Sequence, residues 1–257
     1  MLALILVGCP PKVPAPTGPV ALDDRPVLLG WRLVPGDVHR YALTTQWGVG
    51  VEEVLRVERW DYLVRSVDEE GVATLEGSLV GLGAEVRRQG QPYDVGLEVA
   101  RGAEKERLGT VTLSLARDGR LVAIEGLDWA DALPHRLLAL RLSAEEIRRG
   151  DVWPDPVLAR PYASLMPVSL DVTVEGYSTF EGLYQVGERV LARLSTRGAV
   201  KPAELGAPEV WLSGETWWDP LNGLVDSRTL SASLGNVRGE PGTLSLGIER
   251  VEVRPAQ

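Results

Sequence analysis

Nucleophilic catalysis, metal binding and carboxylate-driven hydrolysis each need particular side chains at particular spacings. The 257-residue chain offers few of them. It has one cysteine, Cys9, and two histidines, His39 and His135. A nucleophile needs a positioned base, and neither histidine neighbours a Gly-x-Ser-x-Gly elbow. Zinc takes three or four nitrogen or sulfur ligands, which these residues do not supply, so no metal site and no cofactor is expected. No GxxxxGK[ST] phosphate loop and no strand–Gly-rich-turn–helix dinucleotide signature occurs. Glycoside hydrolysis needs two converging carboxyl groups. Asp23-Asp24, Glu52-Glu53 and Glu145-Glu146 are candidates by type. Neighbours on a strand point to opposite faces, so Glu52 and Glu53 should not converge, and Glu145-Glu146 should sit on a solvated helical face. The chain is therefore read as non-enzymatic, with a carboxylate-dependent hydrolase acting on glycans as the alternative.

Aromatic residues offer a different chemistry. There are eight Trp but one Phe, and Trp211, Trp217 and Trp218 cluster near Asn222-Gly223. In strand phase Trp211 and Trp217 share one face and Trp218 takes the other. Exposed, Trp211 and Trp217 would form a platform for sugar rings or lipid chains. The favoured expectation is that they fill the sheet core while Trp218 covers an edge.

The elements that must carry these residues read mainly as antiparallel β. Val111, Leu113 and Leu115 alternate with Thr110, Thr112 and Ser114, and Leu230, Ala232 and Leu234 with Ser231 and Ser233. Val168, Leu170, Val172 and Val174 do the same. Such alternation marks strands with one buried and one wet face. The phase slips between Leu244, Leu246, Ile248 and Val251, Val253, which predicts a β-bulge near Glu249–Arg250. Asp118-Gly119 and Asn222-Gly223 predict two-residue hairpins. Gln89–Leu108 reads as a loop or irregular edge. Around 131–149, Leu133, Leu137, Leu140, Ala144 and Ile147 recur at helical spacing. With Asp131 and Ser143 as caps, they predict a short helical insertion, one kinked helix or two.

Gly36-Asp37-Val38 and Gly150-Asp151-Val152 open two β-rich stretches, each ending in a Gly hairpin. Residues 27–257 are thus expected to form a β-rich body, as a curved sheet, a half-barrel or two related halves, 31–130 and 150–257, joined by the helical stretch. That order of elements is faintly similar to the lipoprotein-carrier superfamily of the bacterial envelope, whose members hold acyl chains in a half-barrel. This is likeness of outline alone.

The N-terminus resembles that of bacterial lipoproteins. Leu2–Gly8 is apolar and runs into Cys9, and Leu6-Val7-Gly8-Cys9 matches a lipobox. The resemblance implies that residues 1–8 are a cleaved signal and that Cys9 carries a diacylglyceryl thioether and an acylated amine. Several acyl chains anchor stably where one does not. A secretory signal begins with a basic n-region, whereas the first basic residue here is Lys12, so a start placed too late is expected. Five of the ten residues Pro10–Pro19 are proline, making residues 9–26 a lipidated Cys and an extended tether. Pro10 after Cys9 favours the outer over the inner membrane in the enterobacterial sorting scheme. The formal charge of −9 excludes the basic footprint of nucleic-acid binding. Together these features predict a membrane-anchored envelope lipoprotein that binds an apolar small molecule or an envelope protein, with a structural or assembly role as a further alternative.

Overall fold

The computed structural model describes residues 18–22, 24–89, 91–92, 109–127, 132, 134–155, 172–202, 210–237 and 240–254. Cys9 and the tether's first half lie outside this set, as do Asp131, Leu133, Val168, Leu170 and most of Gln89–Leu108.

The fold is mainly antiparallel β. Among the described residues thirteen strands share one sheet: β1 (Val20–Ala21), β2 (Val38–Val49), β3 (Glu52–Val67), β4 (Ala73–Arg88), β5 (Gln91–Pro92), β6 (Thr110–Leu115), β7 (Leu121–Glu125), β8 (Val152–Pro154), β9 (Val172–Val186), β10 (Arg189–Pro202), β11 (Val210–Asp219), β12 (Leu224–Val237) and β13 (Glu240–Arg254). The order is β1-β9-β10-β11-β12-β13-β2-β3-β4-β6-β7, with β5 on β4 and β8 on β9. Two meanders therefore meet where the last strand pairs with the first long one, from Gly242↔Val49 to Arg254↔Val38. The strands of both sequence halves belong to one continuous sheet.

The Gly-Asp-Val stretches enter this sheet in the same way. Gly36 N donates to Val64 O while Val64 N donates to Asp37 O, and Gly150 N donates to Phe180 O while Phe180 N donates to Asp151 O. Both glycines have left-handed φ, 95° and 91°, a conformation that glycine adopts without steric cost.

One face of the sheet carries the core. Tyr41, Leu43, Trp60, Tyr62, Leu75, Leu113, Phe180, Leu194, Leu212, Trp218, Leu230, Leu246 and Ile248 are buried on it. Alternate residues point to the other, wetter face, as the two-residue period requires. The inner face is covered by the N-terminal segment through Leu29 and Trp31 and by the central segment through Leu137, Leu138, Leu140, Leu142 and Ile147.

That central segment differs from expectation. Among its described residues the only helix is a five-residue 3-10 turn, Pro134–Leu138, lying against β2, β12 and β13. Ser143 accepts from Glu145 N in a local turn instead of capping a second helix. Of the residues at helical spacing, Leu137, Leu140 and Ile147 are buried, but Ala144 is exposed. The backbone groups a helix would use are taken by tertiary partners. Arg228 holds Ala139 O, Trp31 holds Leu140 O, Trp153 holds Arg141 O, and Val27 pairs with Ile147.

Both tight hairpins are also corrected. A type I′ turn needs positive φ at both central residues, yet only Gly119 (82°) and Gly223 (64°) adopt it. Gly119 N donates to Ala116 O and Ala116 N to Arg120 O, with a register shift beside Leu115. At the other site Gly223 N donates to Asp219 O across a longer loop. There Asp219 Oδ1 accepts from Leu221 N and Asn222 N. The β13 bulge falls at Val251, between Arg250↔Tyr41 and Glu252↔Arg40. It puts Val253 opposite the buried His39.

Candidate functional site

Three polar arrangements are built on the sheet, two on its inner face and a third beside an open cavity of about 410 Å³ that Arg189, Asp226 and Arg250 line. In the first, Tyr62 Oη and His135 Nδ1 share a 2.7 Å hydrogen bond. Trp60 packs edge-on to the imidazole at 4.6 Å and donates to Glu58 at 2.6 Å, while Arg56 pairs with Glu58 at 2.5 Å. Burial holds the Tyr62 hydroxyl well above its ordinary pKa, and the Glu58 charge adds to the effect. Tyr62, Trp60, His135 and Glu58 are at most 1% exposed. No substrate can reach them, so the cluster fixes the 3-10 turn to β3. His39 lies on the same face of β2 and hydrogen-bonds no described residue. Burial lowers its pKa against the opposing pull of Asp37, so its ring stays neutral at neutral pH.

In the second arrangement, Arg228 from β12 is wholly buried. It donates to Asp155 Oδ2 at 2.8 Å and to Ala139 O at 3.0 Å. Ser178 completes the site by donating to the same Asp155 oxygen. One arginine thereby ties the central segment to β12 and, through Ser178, to β9.

The third contains the convergent carboxylates that hydrolysis would require. Arg250 Nη2 donates to Asp219 at 2.7 Å and to Asp226 at 2.9 Å, and Arg189 also holds Asp226. Burial pushes the Asp219 carboxyl upward, but hydrogen bonds from Arg250 and Asn222 outweigh it and leave its pKa below the usual range. A general acid must hold its proton near neutral pH, and Asp219 does the opposite. The pairs named from sequence do not converge either. Glu52 and Glu53 take opposite faces of β3, Asp24 pairs with Arg149, and Glu145 and Glu146 are exposed; Asp23 lies outside the described residues.

The wet face carries an open apolar groove. A groove of about 620 Å³ runs over β9, β10 and β11, lined by Tyr177, Arg197, Gly198, Ala199, Trp211, Leu212 and Ser213. The register places Tyr177 beside Arg197 and Arg197 beside Ser213, with Ala199 beside Trp211. Small outward-facing residues in mid-strand (Ala199 and Ser213) leave space between two rings that face solvent, Tyr177 at 48% and Trp211 at 64% exposure. The volume is within the range of small-molecule sites, roughly 300–1,000 Å³.

Trp211 therefore lines a groove, contrary to the expectation that it fills the core. Trp218, expected at an edge, is 0% exposed and packs edge-to-face with Trp31 at 4.8 Å. Even-numbered residues of β11 (Leu212, Thr216, Trp218) face inward, and the alternation alone does not say which set is inner. Trp217 shares a face with Trp211 as expected, but that face is the outer one and not the core, and Trp217 stands six residues along β11, roughly 20 Å away at about 3.3 Å per residue. Its ring lies 5.6 Å from Tyr184 with Arg193 over it, and its Nε1 donates to Glu215. Trp211 and Trp217 are not one platform. Sequence reasoning missed Tyr177 and Arg197. Their only signal is cross-strand neighbourhood, which needs the register.

No family model matches the chain, and no curated protein sequence is significantly similar to it. Among solved structures, one described as "lipid-protein interactions in lipovitellin" superposes with a TM-score of 0.53 at 12% identity over 88% of this chain. The match covers 26% of that chain, so this protein spans about a quarter of its length. DynF from the dynemicin pathway of Micromonospora chersina is 11% identical, covering 95% of this chain and 92% of its own, with a TM-score of 0.21. The first likeness concerns the fold alone, and the second is too weak to carry an argument.

Proposed function

We propose that the protein is a non-enzymatic envelope lipoprotein, anchored by lipid on Cys9, whose sheet binds an apolar ligand in the groove at Tyr177, Ala199 and Trp211. The groove carries this reading: two aromatic rings face solvent around a floor of small residues, where a packed sheet would bury them. Lipovitellin, whose sheet is similar, is a protein described by its interactions with lipid. The lipobox-like Leu6-Val7-Gly8-Cys9 and the Pro-rich tether support a membrane address, the outer membrane being favoured by Pro10.

The test uses the uncharged fluorescent probe N-phenyl-1-naphthylamine. The wild-type chain should enhance its emission saturably. Trp211→Ala should weaken binding roughly 10-fold or more, since burying an aromatic side chain is worth about 1.5–3 kcal/mol. Its circular dichroism and melting should stay unchanged, because the indole is exposed. Equal affinity in both proteins would refute the groove as the site.

A further inference from the structure

We propose that Arg197 makes this groove selective for anionic amphiphiles, molecules with one apolar chain and a carboxylate or phosphate head. The inference rests on the apolar-ligand reading above and names the ligand class. Arg197 stands on the wet face of β10, exposed, in the groove lining between Tyr177 and Ser213.

Three other strand arginines on that face are paired, and Arg59 of β3, which like Arg197 has neutral cross-strand neighbours and no ion pair, lies outside this groove. Arg193 meets Glu215 across the β10–β11 pairing, Arg40 meets Asp61 across β2–β3, and Arg65 holds Glu76 on β4. Both cross-strand neighbours of Arg197 are neutral. The nearby Glu215 is already engaged by Arg193 and Trp217. Among the described residues Arg197 makes no ion pair.

An arginine buries its methylene stem along apolar surface while its guanidinium stays free to bond. Here the stem extends the apolar lining between the two rings. The fork of donors at its tip fits a carboxylate or a phosphate in two-point contact. A ligand whose chain lies over Ala199 and Trp211 would bring its head to this charge. A hydrogen bond to a charged group at a partly desolvated site is worth roughly a tenfold gain in affinity.

The full chain tests this by displacement of N-phenyl-1-naphthylamine. Dodecanoate, dodecyl phosphate and dodecan-1-ol are titrated below their micellar concentrations against wild type, Arg197→Gln and Arg197→Lys. At least one anion should displace the probe from wild type at roughly a tenth of the alcohol concentration. Arg197→Gln should abolish that preference, its loss for the anions exceeding any loss for the alcohol and the probe roughly tenfold, and Arg197→Lys should keep part of it. Preference for dodecyl phosphate supports a phospholipid-type head, and preference for dodecanoate a free fatty acid. Equal displacement by anions and alcohol from wild type overturns the inference. So does a preference that survives Arg197→Gln. In both cases the apolar groove stands. Probe binding that is absent, or indifferent to Trp211→Ala, sinks the reading beneath it as well.

Discussion

At the scale of residues, the molecule separates side chains that hold structure from side chains that remain available. His135, Tyr62, Glu58, Arg228 and Asp155 look like chemistry by type, yet all are at most 2% exposed and bonded to one another or to backbone. Burial lowers the Arg228 pKa, and the Asp155 charge opposes that shift. Asp155→Ala should cost about 3–5 kcal/mol, because it leaves a buried guanidinium uncompensated. Arg228→Met combined with Asp155→Leu should cost clearly less than the sum of the two single changes, since neither charge then remains. Urea unfolding of the four proteins gives the cycle, and additive costs would show that the pair does not act as a unit. The three tryptophans divide in the same way. Trp218 is core, Trp217 is held by Glu215, Tyr184 and Arg193, and Trp211 is open. Their shared strand phase was legible in the sequence. Which phase faced inward was not, because aromatic residues occupy both.

At the scale of elements, local patterns named the strands and tertiary bonds decided the rest. Alternation identified β6, β12 and β13, and the phase slip in β13 located a bulge within two residues of its true place at Val251. The central segment has helical apolar spacing but forms only a 3-10 turn among its described residues, because its carbonyls are claimed by Arg228, Trp31 and Trp153 from distant positions. Gly119 joins the two levels. It sits at a φ of 82°, and a Cβ there would lie 1.9 Å from Leu140 O and 2.1 Å from Trp31 Nε1. Gly119→Ala should therefore strain the turn and push the central segment off the sheet, costing roughly 2 kcal/mol or more. Gly150 has a similar φ of 91° but open space around its Cβ position. Gly150→Ala should cost only the backbone penalty of about 1–2 kcal/mol. Thermal unfolding of both variants compares them, and equal losses would mean that the close contact at Gly119 carries no weight.

At the scale of the whole molecule, the thirteen strands among the described residues form one open sheet whose inner face is covered by the chain's own N-terminal and central segments. The groove at Tyr177, Ala199 and Trp211 lies on the opposite, wet face. The proposed anchor is tested independently of that surface. Intact-mass analysis of native protein from membranes should give a mature N-terminus at Cys9 carrying lipid, and Cys9→Ser should release the chain from the membrane fraction. A membrane-free native protein with an unmodified thiol would refute the anchor. By itself the sequence determined the antiparallel β class, the strand phases and the Gly-Asp-Val turns. These follow from short-range properties: a two-residue period and glycine at positive φ. Only the tertiary structure decided which face was inner, that both halves join along β2 and β13, and that Tyr177, Arg197 and Trp211 meet. Those depend on register between strands distant in sequence, where a one-residue slip would send every side chain to the opposite face.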